Sequence, residues 1–295
     1  MKNNFYKIFI YSLVIIIFNS CSKEESKEQY YKKGKVDLSV DPSFYELALS
    51  LNQVFNTVYP KAIIDVQPQA EALAINNFIN GNATVIMVGR NLTDEEANFI
   101  FNRTKKKYKS AQIACDGVIF ITSKKNNISE LSIQTLKTDI VSENSKYVFD
   151  GIYTSNYNTL KNILKFKFKE GEKINSFKDA QELINYIDNN PSYIGITGLS
   201  TLNYSNDENF KKILNNIKIL PIRSKDGEII SPNLESFKSN KYPFTRRIYL
   251  LNAENGFGIG SSFLRFSTSQ RGQLIVSKEG YQPYYLYERN INITK

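Results

Sequence analysis

Along the chain, short apolar runs alternate with longer stretches in which apolar residues recur every three or four positions. Val36–Val40 reads as a strand, and Ser43–Phe55 as a helix after the junction Asp41-Pro42-Ser43. Ala62–Val66 and Thr84–Val88 are predicted strands, with a helix over Glu71–Ile79 between them. Thr93 and Glu96 form a capping-box pattern that opens a further helix. Val118–Thr122 is an apolar run fit for a buried strand, and the polar stretch Ser123–Glu130 after it reads as a crossing into a second lobe. There the alternation resumes. Strands are predicted at Tyr147–Phe149, Tyr193–Ile196 and Ile217–Ile222, and helices at Asn158–Phe166, from Ser176 to about Ile187, and at Glu208–Leu214. Ser224–Lys241 is polar and loop-like. Arg247–Leu251 is a strand, and helices follow near Ser261–Ser267 and Ser269–Ser277.

Strand and helix in regular succession predict an α/β fold with mainly parallel sheets and flanking helices. The pattern divides the chain into lobe 1, residues 35–122 and 223–295, and lobe 2, residues 123–222. A chain that leaves one lobe and returns crosses twice, near Ser123 and Pro221, which makes a hinge with a cleft beside it. Parallel sheets bind ligands beyond the carboxyl ends of their strands, next to helix N-termini. The predicted rim is therefore loops 41–44, 67–71, 89–93 and 150–157.

Composition narrows the chemistry. Of 295 residues none is histidine, which removes the commonest neutral-pH base and metal ligand. The two cysteines, Cys21 and Cys115, are too few for a zinc cluster, and no clustered set of ligands or Gly-rich phosphate loop is present. The expectation is a protein without catalytic residues, cofactor or metal. The net charge of +9 comes from dispersed lysines without a nucleic-acid motif, so no nucleic-acid partner is expected. Residues 1–20 carry Lys2 and Lys7 ahead of an apolar stretch, Ile8–Phe18, too short for a comfortable span: a signal-peptide layout. It ends in Asn19-Ser20-Cys21, which resembles a bacterial lipobox and predicts acylation of Cys21; an ordinary secretory signal is the alternative. The charged stretch 21–34 reads as a tether. The expected location is the cell envelope, lipid-anchored, on the periplasmic side or the outer surface.

Several segments resemble the substrate-binding proteins of phosphate ABC transporters, the periplasmic-binding-protein-like type 2 family. The most specific are Tyr242–Leu251, Arg271-Gly272-Gln273-Leu274-Ile275-Val276 and Gly280-Tyr281-Gln282-Pro283. Cys115-Asp116-Gly117-Val118 and Val88-Gly89-Arg90-Asn91-Leu92 with Glu95-Glu96 also fit. The resemblance implies a two-lobed fold with an interlobe cleft, and three ligand loops. The first, G-S-S-T in the family, aligns with Asp41-Pro42-Ser43-Phe44; the second retains Arg90; the third, R-x-x-x-S-G-T, aligns with Asp150 to Asn156. It therefore implies ligand contacts at Ser43, Phe44, Arg90, Thr154, Ser155, Asn156 and Asp150, the last an acid where the family often has arginine.

The same residues also have local explanations. Ser43 with Glu46 makes a capping box, and Asp41 can cap a helix with Pro42 at its first position. Arg90 can pair with Asp94 or Glu95, and Thr154 and Ser155 can be turn residues. Two functions follow. One is a lipid-anchored binding protein that captures inorganic phosphate or a similar oxyanion for an ABC permease. The alternative is a binding-protein-fold lipoprotein that acts as an interaction or binding module without phosphate transport, which Asp41, Pro42 and Asp150 favour.

Overall fold

The computed structural model describes residues 32–168, 174–203 and 208–285. The signal segment, Cys21 and nearly all of the tether lie outside the described residues. β1 (Lys33–Val40) leads through a 3-10 turn (Pro42–Phe44) into α1 (Tyr45–Val58). β2 (Lys61–Pro68), α2 (Glu71–Asn80), β3 (Val85–Val88) and α3 (Asp94–Thr104) follow in the predicted order. β4 runs from Lys109 to Ser123, far beyond the predicted Val118–Thr122. Its first half is broken by Gln112, Cys115 and Asp116, so it carries no continuous apolar run.

Next come β5 (Leu131–Ser132), α4 (Ile133–Ile140), β6 (Tyr147–Phe149), α5 (Ser155–Leu164), α6 (Ala180–Asn189) and β7 (Ile194–Gly198). α7 (Glu208–Leu214), β8 (Ile217–Leu220) and β9 (Ile222–Arg223) complete this part. The stretch read as loop, Ser224–Lys241, holds β10 (Ile229–Ile230) and the short α8 (Leu234–Lys238). α8 forms because Asn233 and Ser236 cap each other and Phe237 buries fully beneath it. β11 (Thr245–Asn252), α9 (Ile259–Thr268), α10 (Gln270–Lys278) and β12 (Gln282–Pro283) end the described chain.

One sheet runs through both halves in the order β2-β1-β3-β11-β4-β7-β6, with β8 and β12 also paired to β4. The pairs β1–β2, β1–β3 and β6–β7 are parallel, as expected. The centre is not: β11 is antiparallel to both β3 and β4, and β4 to β7. The chain path is the reason. β4 leaves the first half while β11 re-enters it alongside, so the two strands run in opposite directions.

β4 serves both halves through its two-residue side-chain period. Val118 and Phe120 face a core with Phe149, Leu160, Phe237 and Phe244. Ile119 and Ile121 face the opposite core, with Leu183, Ile187 and Phe210. Residues 230–244 pack in the first of these, through Ile230, Leu234, Phe237 and Tyr242. The other half is layered in the same way. α1, α9 and α10 cover one sheet face through Leu51, Phe55, Phe263 and Val276, and α2 and α3 cover the other through Ile75, Phe78 and Ile100. Full burial of each such side chain contributes roughly 1.5–3 kcal/mol.

Candidate functional site

The sheet brings four chain segments to one seam between the halves. β1 ends just before Asp41, α2 starts at Glu71 after β2, β3 ends just before Gly89, and α5 starts at Ser155 after β6. All lie beyond the carboxyl ends of parallel strands, the place predicted for ligand loops.

Asp41 occupies the centre. Its side chain is fully buried, and both oxygens accept backbone N–H groups. Oδ1 takes the Ser43 amide at 3.0 Å. Oδ2 takes two more, Glu71 at 3.0 Å and Ser155 at 2.9 Å. Glu71 and Ser155 are the first residues of ten-residue helices in opposite halves. The first turn of a helix leaves its N–H groups unpaired and carries roughly half a positive charge. An anion thus sits between two helix starts, and it is a side chain of the protein itself. The junction also has the local role expected of it, with Asp41 as N-cap and Pro42 at the first position of the turn. The cap hydrogen bond comes from Asp41, so the Ser43–Glu46 box is not what closes this turn.

Glu71 extends the seam. Its Oε2 accepts the Gly89 amide at 2.7 Å, and its Oε1 accepts Asn158 Nδ2 at 3.1 Å across the halves. A Cβ on Gly89 would lie 1.8 Å from Ser155 Oγ, so only glycine lets the halves approach this closely. Tyr153 holds a left-handed backbone, φ 62°, and its carbonyl accepts the side chain of Asn158 and the Ala72 amide. Backbone strain of this kind costs of order 1–3 kcal/mol and persists only where surrounding contacts fix it.

A second buried cluster lies below. Arg246 Nη2 contacts Asp116 Oδ2 at 2.9 Å, and Ser200 Oγ donates to the same oxygen at 3.1 Å. The guanidinium stands 4.5 Å from the centre of the Phe44 ring. No protein group among the described residues pairs with Arg246 Nε, Arg246 Nη1 or Ser155 Oγ, and all are buried. Asp150 Oδ2 accepts Asn156 Nδ2 and Thr197 Oγ1, both at 2.7 Å, while its Oδ1 is likewise without a protein partner.

Burial pushes the Asp41 carboxyl up to about 6, helped by the nearby charge of Glu71 and opposed by the Ser43 hydrogen bonds and by Arg246. Burial also pushes Asp150 up to about 7, against the Thr197 hydrogen bond, Arg246 and Asn156. Both carboxyls therefore feel the Arg246 charge, and the charge of Asp41 raises Asp150.

The residues expected around a ligand divide into two groups. Asp150, Thr154, Ser155 and Asn156 are buried together at the start of α5. Thr154 caps that helix, its Oγ1 accepting the Tyr157 amide at 3.4 Å. Ser43 joins this seam through its backbone, while the Phe44 ring is buried against the core and Arg246. Arg90 stands apart. Its fork is closed by Glu96 at 2.7 and 2.8 Å, and Glu96 also completes the capping box with Thr93. The partner is one residue beyond the Asp94 and Glu95 considered from the sequence.

Glu71 closes the predicted rim loop 67–71, but neither it nor Asp116 or Arg246 is among the ligand contacts that the resemblance implies. The strand period carried a signal for Arg246, which shares a sheet face with buried Ile248 and Leu250 while Arg247 is exposed. Beside the seam opens a cleft of about 830 Å³, lined by Pro42, Ser43, Glu46, Asp150, Thr154 and Asp179 among others. Its lining carries four carboxylates, Glu46, Asp150, Asp179 and Glu279, against one ammonium, Lys278. Among the described residues no cluster of metal-binding side chains occurs, and no helix is long and apolar enough to cross a membrane.

Residues 25–271 match the family model of the PBP superfamily domain. Among curated proteins the chain is similar to the phosphate-binding protein PstS 2 of Streptococcus agalactiae, 26% identical over 104 residues. That stretch is 35% of this chain and spans about a third, 33%, of the relative's length. Among solved structures it is similar to a phosphate ABC transporter substrate-binding protein from Clostridium perfringens determined with bound phosphate. The TM-score is 0.68 at 22% identity, over 85% of this chain and 100% of that one. It is also similar to an ABC-type phosphate transport receptor from Vibrio cholerae, with TM-score 0.64 at 15% identity over 84% of this chain and 99% of the other. At these identities the structural likeness establishes the fold.

Proposed function

The chain belongs to the PBP superfamily, and from that membership we propose a receptor: a solute-binding protein of the cell envelope, anchored through acylated Cys21, that captures phosphate or a similar oxyanion for an ABC permease. The observation that supports it is the convergence of the Glu71 and Ser155 amides, from opposite halves, on a single anionic group. Such a point stabilises negative charge without any lysine. Arg246 and the Ser155 hydroxyl are the further donors at hand, and Asp150 is the acceptor for a proton of a hydrogen phosphate. In this reading residues 35–122 with 223–295 form one lobe and 123–222 the other, with residues 230–244 packed into the core of the second, and the cleft opens about the crossings near Ser123 and Pro221. Binding, not catalysis, is the role.

The likeness of the Clostridium perfringens structure, which holds phosphate, favours phosphate as the first ligand to try. Isothermal titration of the purified chain with phosphate is the test. Saturable heat with one site per chain supports the reading, and no heat at millimolar phosphate overturns it. The mass of Cys21 in envelope extracts tests the anchor: a diacyl or triacyl adduct is expected, and an unmodified or absent Cys21 contradicts it.

A second reading has its own support. The amides that should greet an anion are already engaged by Asp41, and the cleft lining carries four acidic side chains against one lysine. This favours an interaction module that takes no free phosphate. A silent titration together with a retained lipid anchor would select it.

A further inference from the structure

The three amides around Asp41 belong to three separate chain segments, and the two that share Oδ2 come from different halves of the molecule. An ordinary N-cap serves one helix. This carboxylate serves the turn at Ser43 and also the starts of α2 and α5, 30 and 114 residues away. Two buried groups hold unpaired hydrogen-bonding capacity: Ser155 Oγ, on the residue whose amide holds Oδ2, and Arg246 through Nε and Nη1, whose charge is felt at Asp41. The neighbourhood of Asp41 therefore holds buried donors that its carboxylate leaves unpaired.

Resting on the oxyanion reading above, we propose that Asp41 is a tethered competitor: its carboxylate occupies the anion position between the halves, and a free oxyanion binds only by displacing it from the Glu71 and Ser155 amides. The consequence is a raised threshold. Solute must outcompete an anion that is covalently present at high effective concentration. The Ser155–Asp41 bond also latches the second half onto the first when no solute is bound. Displacement is easiest when Asp41 is neutral, because a carboxylic acid holds the amides less strongly than a carboxylate. The charged groups facing Asp41 are Glu71 on α2, Arg246 on β11 and Asp150 before α5. Glu71 and Asp150 repel its charge and Arg246 holds it, so acidification that neutralises Asp41 favours the incoming anion.

The experiment is equilibrium dialysis of radiolabelled inorganic phosphate against the wild-type chain, Asp41→Gly and Asp41→Asn, at about pH 8 and about pH 5.5, either side of the Asp41 titration. Circular dichroism confirms the fold of each protein. The expected result at the higher pH is at least tenfold tighter phosphate binding by Asp41→Gly than by wild type, with Asp41→Asn between them. At the lower pH the wild-type deficit shrinks to threefold or less; because the ratio is taken at one pH, the titration of phosphate itself cancels. If wild type binds phosphate as tightly as both variants at the higher pH, the competition is wrong and the receptor reading stands. Failure of all three folded proteins to bind phosphate overturns both. Should Asp41→Gly not fold, Asp41→Asn alone decides, since it removes the charge and keeps the shape.

Discussion

Two helix starts in this chain read almost alike in sequence and do different work. At Thr93 the cap is self-contained: the side chains of Thr93 and Glu96 satisfy each other's amides, and Glu96 adds the half-exposed Arg90. At Asp41 the cap is shared: one fully buried carboxylate takes amides from three segments and joins the two halves. Burial is the difference. In water an orphan amide at a helix start has a solvent partner, so a local cap adds little. In a dry seam each amide needs a partner, and a single acceptor that reaches several becomes structural for all of them.

The sharpest way to break the comparison is to remove both caps. Asp41→Ala strips the acceptor from three amides while relieving one buried charge beside Glu71, and is expected to cost about 3 kcal/mol in urea denaturation. The pH dependence is next. Asp41 and Asp150 have folded pKa values above those of free carboxyls, so the folded chain binds protons more readily than the unfolded one between about pH 4 and pH 7. Stability should therefore rise by a few kcal/mol as the solution is taken from about pH 8 to pH 5. Glu96 works in the opposite sense. Its pKa is lowered chiefly by Arg90, so its contribution is present above the ordinary carboxyl range and is lost only at lower pH. Thr93→Ala should cost about 1 kcal/mol, the usual loss for a single cap. Arg90→Gln should change stability by roughly 0.5 kcal/mol or less, because its ion pair with Glu96 is partly solvated. An Arg90→Gln effect as large as that of Asp41→Ala would erase the distinction between the two starts.

Much of the architecture was legible. The alternation of strand and helix, the Thr93–Glu96 box, and Asp41 with Pro42 as a helix start are local patterns, and local patterns survive folding. The first half of β4 and the antiparallel centre of the sheet were not legible, because they depend on which strands become neighbours. The site divides in the same way. Asp150 to Asn156 lie within seven residues, and the structure buries Asp150, Thr154, Ser155 and Asn156 as a group. Asp41, Glu71 and Ser155 lie in loops that the strand pattern places on one rim, but the bonds that join them over separations of 30 and 114 residues follow from no spacing rule. The sequence marked Asp41 as an acid that repels an anion; it could not show that the acid is itself the anion in place.

That claim is tested most directly by nuclear magnetic resonance of the ligand-free chain, following the amide protons of Glu71 and Ser155 through a pH titration. Both signals are expected to move together with one midpoint near 6, the value to which Asp41 is pushed, and the step is expected to disappear in Asp41→Asn. If the Ser155 amide ignores the titration, or titrates unchanged in Asp41→Asn, the carboxylate does not bridge the halves and the account fails.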